Sequence, residues 1–386
     1  MTKYGSRALP RLHRSAARAA SRAAVSAAVL ALSLSACAKP PVKVGLPLVL
    51  TGLTSRIGIA GRNGALLAAE RINAAGGIRG RRLELLPRDD FEDPDKALEV
   101  DKALAEEGAV ALVGHMASRT GLKAAEFATG RRLPLVSPTI SSTDYSGKDD
   151  YFFRVIGSNA LMGKTIAAYA RKIGLSRAAA AYESTNSSYT LTFLGGFKAE
   201  FERLGGVVLE PRSFATSASM DYGAMVEDLL AEGPDAVFVV ASPFDTAEVC
   251  QALQKRVSPL PVLASMWAMT DDLFAFGGRS VERLVGVMYL DPEDDSPAYR
   301  AFREEYSRRY GEEPSFASAY GYDAVMVLAK AMAAARRLDG PSIKEALLGI
   351  GRFDGLQGQI VLDRYGDCEK EPFVFRVRDG RFQRAP

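Results

Sequence analysis

The chain has 386 residues, with 49 Lys+Arg, 46 Asp+Glu and two histidines, for a formal net charge of +3 at pH 7. The excess is local: residues 1–36 hold six of the basic groups and no acidic ones, leaving 43 basic against 46 acidic side chains beyond them. A near-neutral body without a Lys/Arg-rich block gives no electrostatic case for nucleic-acid binding, and its length with 47% hydrophobic residues suits two domains of roughly 100–200 residues each.

At the N-terminus, Lys3, Arg7, Arg11, Arg14, Arg18 and Arg22 precede a run from Ala23 to Ala36 that is almost entirely small and apolar. This is the pattern of an export signal, and the run is shorter than the about 20 apolar residues a membrane-spanning helix needs. Leu34-Ser35-Ala36-Cys37 is similar to the lipobox of bacterial lipoproteins. That similarity implies that 1–36 is a removable signal peptide and that Cys37 becomes the lipidated first residue, holding the protein at a bacterial membrane. Of the other cysteines, Cys250 falls in a predicted helix over 245–256 and Cys368 in the charged turn Asp367-Cys368-Glu369-Lys370. Under the oxidising conditions met by exported proteins they either pair or remain small buried thiols. No catalytic thiol is expected, since beyond residue 36 His115 is the sole histidine that could act as its base.

From Val42 onward, β-rich runs alternate with helical patterns. Strands are predicted at 42–50, 82–87, 109–114, 133–137, 178–182, 207–211, 235–241, 261–264 and 284–289, each rich in Val, Leu, Ile, Phe or Ala. A helix over about 60–75 places Leu66, Leu67, Ala69 and Ile72 on one face and stops at Gly76-Gly77. In the next, Asp93 caps, Pro94 takes the first helical position, Asp95 complements the positive end, and Ala97, Leu98, Ala103 and Leu104 form the apolar face until Gly108. Near-continuous apolar strands separated by helices imply parallel sheets covered on both faces. The fold class is α/β, and so many strands before Pro292 fit two sheets better than one. Helical patterns at 297–310, 318–338 and 342–348 follow. The tail then changes to Gly-bounded β segments, through Phe353-Asp354-Gly355-Leu356-Gln357-Gly358, 359–363, 373–378 and Arg381-Phe382, at spacings that suggest antiparallel ribbons.

Several motifs stand in a characteristic order: Thr51-Gly52, Gly61-Arg62-Asn63-Gly64-Ala65, Glu70-Arg71-Ile72-Asn73-Ala74-Ala75-Gly76-Gly77-Ile78, Asp89-Asp90, Asp93-Pro94, Val113-Gly114-His115, Leu135-Val136-Ser137-Pro138, Gly233-Pro234-Asp235-Ala236-Val237, Tyr322-Asp323-Ala324 and Asp379-Gly380-Arg381-Phe382. Together, over about 42–382, they resemble the leucine/isoleucine/valine-type periplasmic binding proteins, the extracytoplasmic receptors of ABC importers. The resemblance implies two Rossmann-like lobes with parallel sheets, joined by a three-crossing hinge: lobe I at 42–157 plus 290–350, lobe II at 158–289 plus 351–386. It implies a monomeric binding protein, not an enzyme, without cofactor or metal, that closes on a small carboxylate-bearing solute and delivers it to a permease with its ATPase subunits.

Two hydroxyl-rich loops fit that role. Met116-Ala117-Ser118-Arg119-Thr120 follows a strand and opens a helix, and Ser137-Pro138-Thr139-Ile140-Ser141-Ser142-Thr143 follows the next strand. The family positions imply that Ser118, Thr139, the Ile140 backbone and Ser141 hold the ligand carboxylate; read from residue type alone, these side chains are ordinary helix caps. On the second lobe the resemblance points to Tyr189, to Ser242, Phe244 and Asp245, and to Trp267. Here the chain departs from the amino-acid binders, which place an acid after the later strand to meet the ligand ammonium. That stretch reads Met266-Trp267-Ala268, leaving Asp245, or more weakly Asp271, as a substitute and opening the ligand class to aromatic or apolar acids. Trp267 is equally readable as a core or hinge aromatic. A cysteine pair of some relatives is also absent, replaced by Glu92 and Ala117.

Other readings rest on less. Gly163-Lys164-Thr165 after the strand-like 151–156 is similar to a phosphate-binding P-loop, but the first glycine of that motif would have to stand where Ser158 is. Asp89-Asp90 and Glu293-Asp294-Asp295 read as solvated loop charges or a weak Ca²⁺ contact. A ligand sensor of the same fold, acting on a signalling partner, is the remaining alternative.

Overall fold

The computed structural model describes Thr2 and residues 39–256 and 260–386; Cys37 and, apart from Thr2, the expected signal peptide lie outside them. One sheet contains β1 (Val42–Leu48), β2 (Leu83–Asp89), β3 (Leu112–Val113), β4 (Leu135–Ser137) and β5 (Phe152–Arg154), all parallel, in the order β2-β1-β3-β4-β5. Its intervening helices are α1 (Ser55–Ala74), α2 (Pro94–Glu106) and α3 (Ser118–Arg131). The Asp93 carboxylate accepts from the Asp95 and Lys96 amides at 2.9 Å, so α2 starts where its capping signal places it.

The chain then enters a second layer through α4 (Asn159–Lys172), β6 (Arg177–Glu183), α5 (Ser187–Arg203), β7 (Val207–Val208), β8 (Arg212–Phe214), α6 (Tyr222–Leu230), β9 (Ala236–Val240), α7 (Pro243–Arg256), β10 (Val262–Ala264), α8 (Asp272–Gly277) and β11 (Val285–Met288). It returns to the first layer with α9 (Pro297–Tyr310), α10 (Phe316–Ala334), α11 (Gly340–Ile350) and a ribbon of β12 (Arg352–Gly355), β13 (Gly358–Leu362) and β14 (Cys368–Glu369). Finally β15 (Phe373–Arg378) and β16 (Arg381–Arg384) add antiparallel to the edge of the second sheet, ordered β16-β15-β11-β10-β9-β6-β7 with β8 beside β6. The chain thus passes between layers after β5, β11 and β14. This is the type I periplasmic binding fold.

The ribbon lies against the first layer, although the sequence expectation grouped 351–386 with the second lobe. Asp367 pairs with the buried Arg154 of β5 at 2.8 Å, and the Leu356 amide donates to Asp323 of α10 at 3.0 Å. A run of short β segments carries no sequence mark of which sheet it leans on; buried partners such as Arg154 decide it. α10 packs along α1 with backbones in near contact: a Cβ on Gly64 would stand 1.9 Å from the Ser318 carbonyl oxygen. Gly163 lies inside α4, where a Cβ would stand 2.3 Å from the Phe193 carbonyl oxygen, so Gly163-Lys164-Thr165 is a helix-packing segment rather than a phosphate loop.

Candidate binding cleft

A cavity of about 40 Å³, within a space of about 470 Å³ that runs out to solvent, lies where the carboxyl ends of strands from both layers meet. In parallel α/β layers this is the end where loops converge on helix N-termini. The first layer supplies Val49, Thr54, Ile57, Glu92, Met116, Ala117, Ser118, Thr139 and Phe316, and the second supplies Asn186, Tyr189, Met266 and Trp267. Three helices, α1, α3 and α5, begin at this wall after Thr54, Ala117 and Asn186, and none is capped by the side chain of that preceding residue. These starts bring partial positive charge to the cavity, which suits an anionic head group, although in α3 the Arg119 amide is already taken by Asn186 Oδ1 of the opposite layer.

Contacts across the cleft hold the two layers together. The Arg119 amide of α3 donates to Asn186 Oδ1 at 3.1 Å, and Ser188 Oγ donates to Asp144 Oδ2 at 2.7 Å. On the second-layer wall the Tyr189 and Trp267 rings meet edge to face, with centroids 6.0 Å apart, and the Trp267 amide donates to the Tyr189 hydroxyl at 3.3 Å. Burial pushes the Tyr189 phenol well above its ordinary pKa, so it stays neutral.

The structure brings Ser118, Thr139, Tyr189 and Trp267 to this one cavity. Ser118 Oγ is buried without a partner among the described residues. The Thr139 hydroxyl donates to the Met116 carbonyl at 2.6 Å, which fixes the loop that presents Ser118. The other expected residues stand elsewhere. The Ile140 amide is already given to Ser137 Oγ at 3.0 Å and its side chain is in the core, so it is no donor to a ligand. Ser141 keeps a buried hydroxyl unpartnered among the described residues, but it does not line the cavity. Asp245 is buried away from it, accepting from Tyr222 Oη (2.6 Å), Ser242 Oγ (2.5 Å) and Thr216 Oγ1 (3.0 Å). Ser242 is therefore spent on that network, and Phe244 packs outside against Phe276 and Tyr222. Asp271 also lies off the cavity.

Sequence reasoning missed Glu92, Thr54 and Asn186 as wall residues. Glu92 was visible only as the replacement for a cysteine, and its direction depends on a backbone with φ of 55° at Phe91 and 53° at Glu92, which no residue type announces. Burial raises the Glu92 carboxyl above its ordinary pKa, with Asp90 and Glu183 adding to the rise, while the Thr54 hydroxyl and the charge of Arg119 oppose it. Asp90 is no solvated loop charge. It is buried and holds His115 Nδ1 at 2.6 Å, while Asp101 holds Nε2 at 3.2 Å. Burial disfavours the imidazolium, yet the two carboxylates override it and lift the His115 pKa to about 10. His115 is thus a charged strut beneath the Met116 loop and not a base. Cys250 and Cys368 are both free and buried, and burial lifts their thiols to about 12 and about 11, which keeps them unreactive. No metal-binding cluster and no helix apolar enough to cross a membrane is found among the described residues.

Two parallel α/β layers meeting over a cavity at their strand ends define a two-lobed solute receptor. The chain belongs to the periplasmic binding protein family, whose profile matches residues 41–381. It is 24% identical over 367 residues to the Leu/Ile/Val-binding protein homolog 1 of Brucella abortus, covering 92% of this chain and 95% of that one. The crystal structure of a leucine-binding protein, LivK, from Thermotoga maritima superposes with a TM-score of 0.82 at 27% identity, over 89% of this chain and 98% of that one. A solute-binding protein of an ABC transporter from R. palustris, solved with benzoate, shares the fold with a TM-score of 0.80 at 20% identity, over 89% of this chain and 95% of that one.

Proposed function

We propose that this chain captures a small carboxylate-bearing solute between its lobes and passes it to an ABC permease with its ATPase subunits, making and breaking no bonds. The observation that carries the reading is the Ser118 hydroxyl at the start of α3, buried without a partner among the described residues and lining the same cavity as Tyr189 and Trp267 of the opposite wall. A carboxylate there gains amide and hydroxyl donors and the positive end of a helix, while an apolar or aromatic body lies on the rings. Of the relatives named above, one is a leucine-binding protein, one a homolog of the Leu/Ile/Val-binding protein and one was solved with benzoate, which supports an acid of that size. The lobes on this reading are 42–157 plus 290–350 with the ribbon, and 158–289 plus the final hairpin. Cys37 anchors the mature protein by lipid outside the cytoplasmic membrane.

A thermal-shift screen of residues 38–386 against amino acids, amides, short-chain carboxylates and aromatic acids tests the reading. A ligand at 100 times its Kd adds about 2.7 kcal/mol and raises Tm. Turnover of a substrate, or no shift with any acid, overturns it. Radiolabelled palmitate incorporation lost on Cys37→Ser tests the anchor.

A further inference from the structure

Glu92 is a half-buried carboxylate in the cavity wall that feels the charge of Arg119 without being paired to it. It makes no ion pair with any described residue, and its recorded partner is the Thr54 hydroxyl, which donates to Oε2 and leaves Oε1 open. Its loop is built to hold it there: the Phe91 and Glu92 amides donate at 2.9 Å to the Asp89 and Asp90 side chains, which stabilises consecutive left-handed residues that would otherwise cost about 1 kcal/mol or more each. Ala117, with a small side chain, lines the same wall. Partial burial penalises the ionised carboxylate, and a ligand ammonium at the open oxygen would offset that penalty with a charge-assisted hydrogen bond. On the opposite lobe, the loop Met266-Trp267-Ala268 offers no acid for that role, and Asp245 is spent on its own hydroxyl network.

We propose that Glu92 is the specificity-determining residue of the cleft, selecting carboxylate-bearing solutes that also carry a cationic amino group, and that it meets that group from the first lobe. This rests on the cleft being the carboxylate site. The ligand would span the wall, its carboxylate at the α3 start and its ammonium at Glu92, with the apolar remainder toward Tyr189 and Trp267. The charged groups facing Glu92 are Arg119 of α3, Asp90 of its own loop and Glu183 of β6. Because its carboxyl titrates above the ordinary range, ammonium binding weakens as pH falls through that raised value, while the bare acid, repelled by the ionised form, gains.

The test is calorimetry on wild type, E92Q and E92D with matched pairs: L-leucine against 4-methylpentanoate, and L-phenylalanine against 3-phenylpropanoate, at pH 7.5 and pH 5. We expect wild type to bind the amino member of at least one pair tenfold or more tightly. E92Q should lose at least tenfold for that member, keep or improve the bare acid, and flatten the pH dependence, with E92D recovering part of the loss. If the bare acids bind wild type better, or E92Q weakens both members equally, the inference falls while the cleft reading stands. If no member of any pair binds wild type, the inference falls, and the broader thermal-shift screen alone decides the cleft reading. Should E92Q fail to fold, the opposite pH trends of the two members in wild type decide the matter, and parallel trends refute the inference.

Discussion

Replacing Asp245 by alanine separates a structural carboxylate from a ligand-binding one. The side chain is buried and accepts from Tyr222, Ser242 and Thr216. The Tyr222 hydroxyl, itself buried, loses a charged acceptor at a cost of about 1.5–3 kcal/mol. Ser242 and Thr216 are partly solvated and recover water, so each adds about 0.5–1 kcal/mol. The sum, about 2.5–5 kcal/mol, corresponds to a drop in Tm of about 3–7 °C for a folded body of about 350 residues. Asp245→Asn, which retains one acceptor oxygen, should lose roughly half as much. Because Asp245 lies off the cavity, ligand affinity measured at 15 °C should stay within about threefold of wild type, a change under about 0.7 kcal/mol. Paired urea denaturation and calorimetry give both quantities. A variant with unchanged stability and affinity lost by more than tenfold would refute the placement and restore Asp245 as an ammonium partner.

Ser118→Ala should weaken a ligand found in the screen by about tenfold, the worth of one hydrogen bond to a charged group, whereas Ile140→Val should leave its Kd unchanged; equal effects would refute the role of the α3 start. The His115 pKa is raised from 6.5 to about 10, so its pairing with Asp90 and Asp101 contributes stability that is complete below about pH 6.5 and lost as pH rises through about 10. Tm should therefore fall over that alkaline window in wild type and fall much less in His115→Gln, which starts about 3–5 kcal/mol less stable. Gly64→Ala places a methyl 1.9 Å from the Ser318 carbonyl oxygen and should destabilise by at least about 1–3 kcal/mol, while Gly130→Ala, in α3 with open space around it, should stabilise by about 0.5–1 kcal/mol. Denaturant midpoints for the two variants check the opposite signs.

Much of the fold was legible because its signals are local. Apolar runs such as Ala236–Val240 have no polar face to offer solvent, so they must lie inside a parallel sheet. Asp93-Pro94 sets a helix start with its own atoms. β8, three residues beside the end of β6, had no such signal and was not anticipated. Within the site, a strand followed by a helix marked the loops of Ser118 and Thr139 as lying at the carboxyl edge of the sheet, but only family position gave those side chains a ligand role. Tyr189 and Trp267 came from family position.

By itself the sequence determined the α/β class, the division into two sheets and the expected export address, since each follows from hydrophobic period, capping residues or short motifs read over a few neighbours, while the cleft between lobes was implied by the family resemblance. Only the tertiary structure decided which polar groups are spent and which are open. Ile140 gives its amide to Ser137 and Asp245 serves Tyr222, while Glu92, brought to the wall by two left-handed residues, has an oxygen to spare. Whether a buried donor or acceptor is satisfied depends on atoms far away in the chain, and no local pattern encodes that sum.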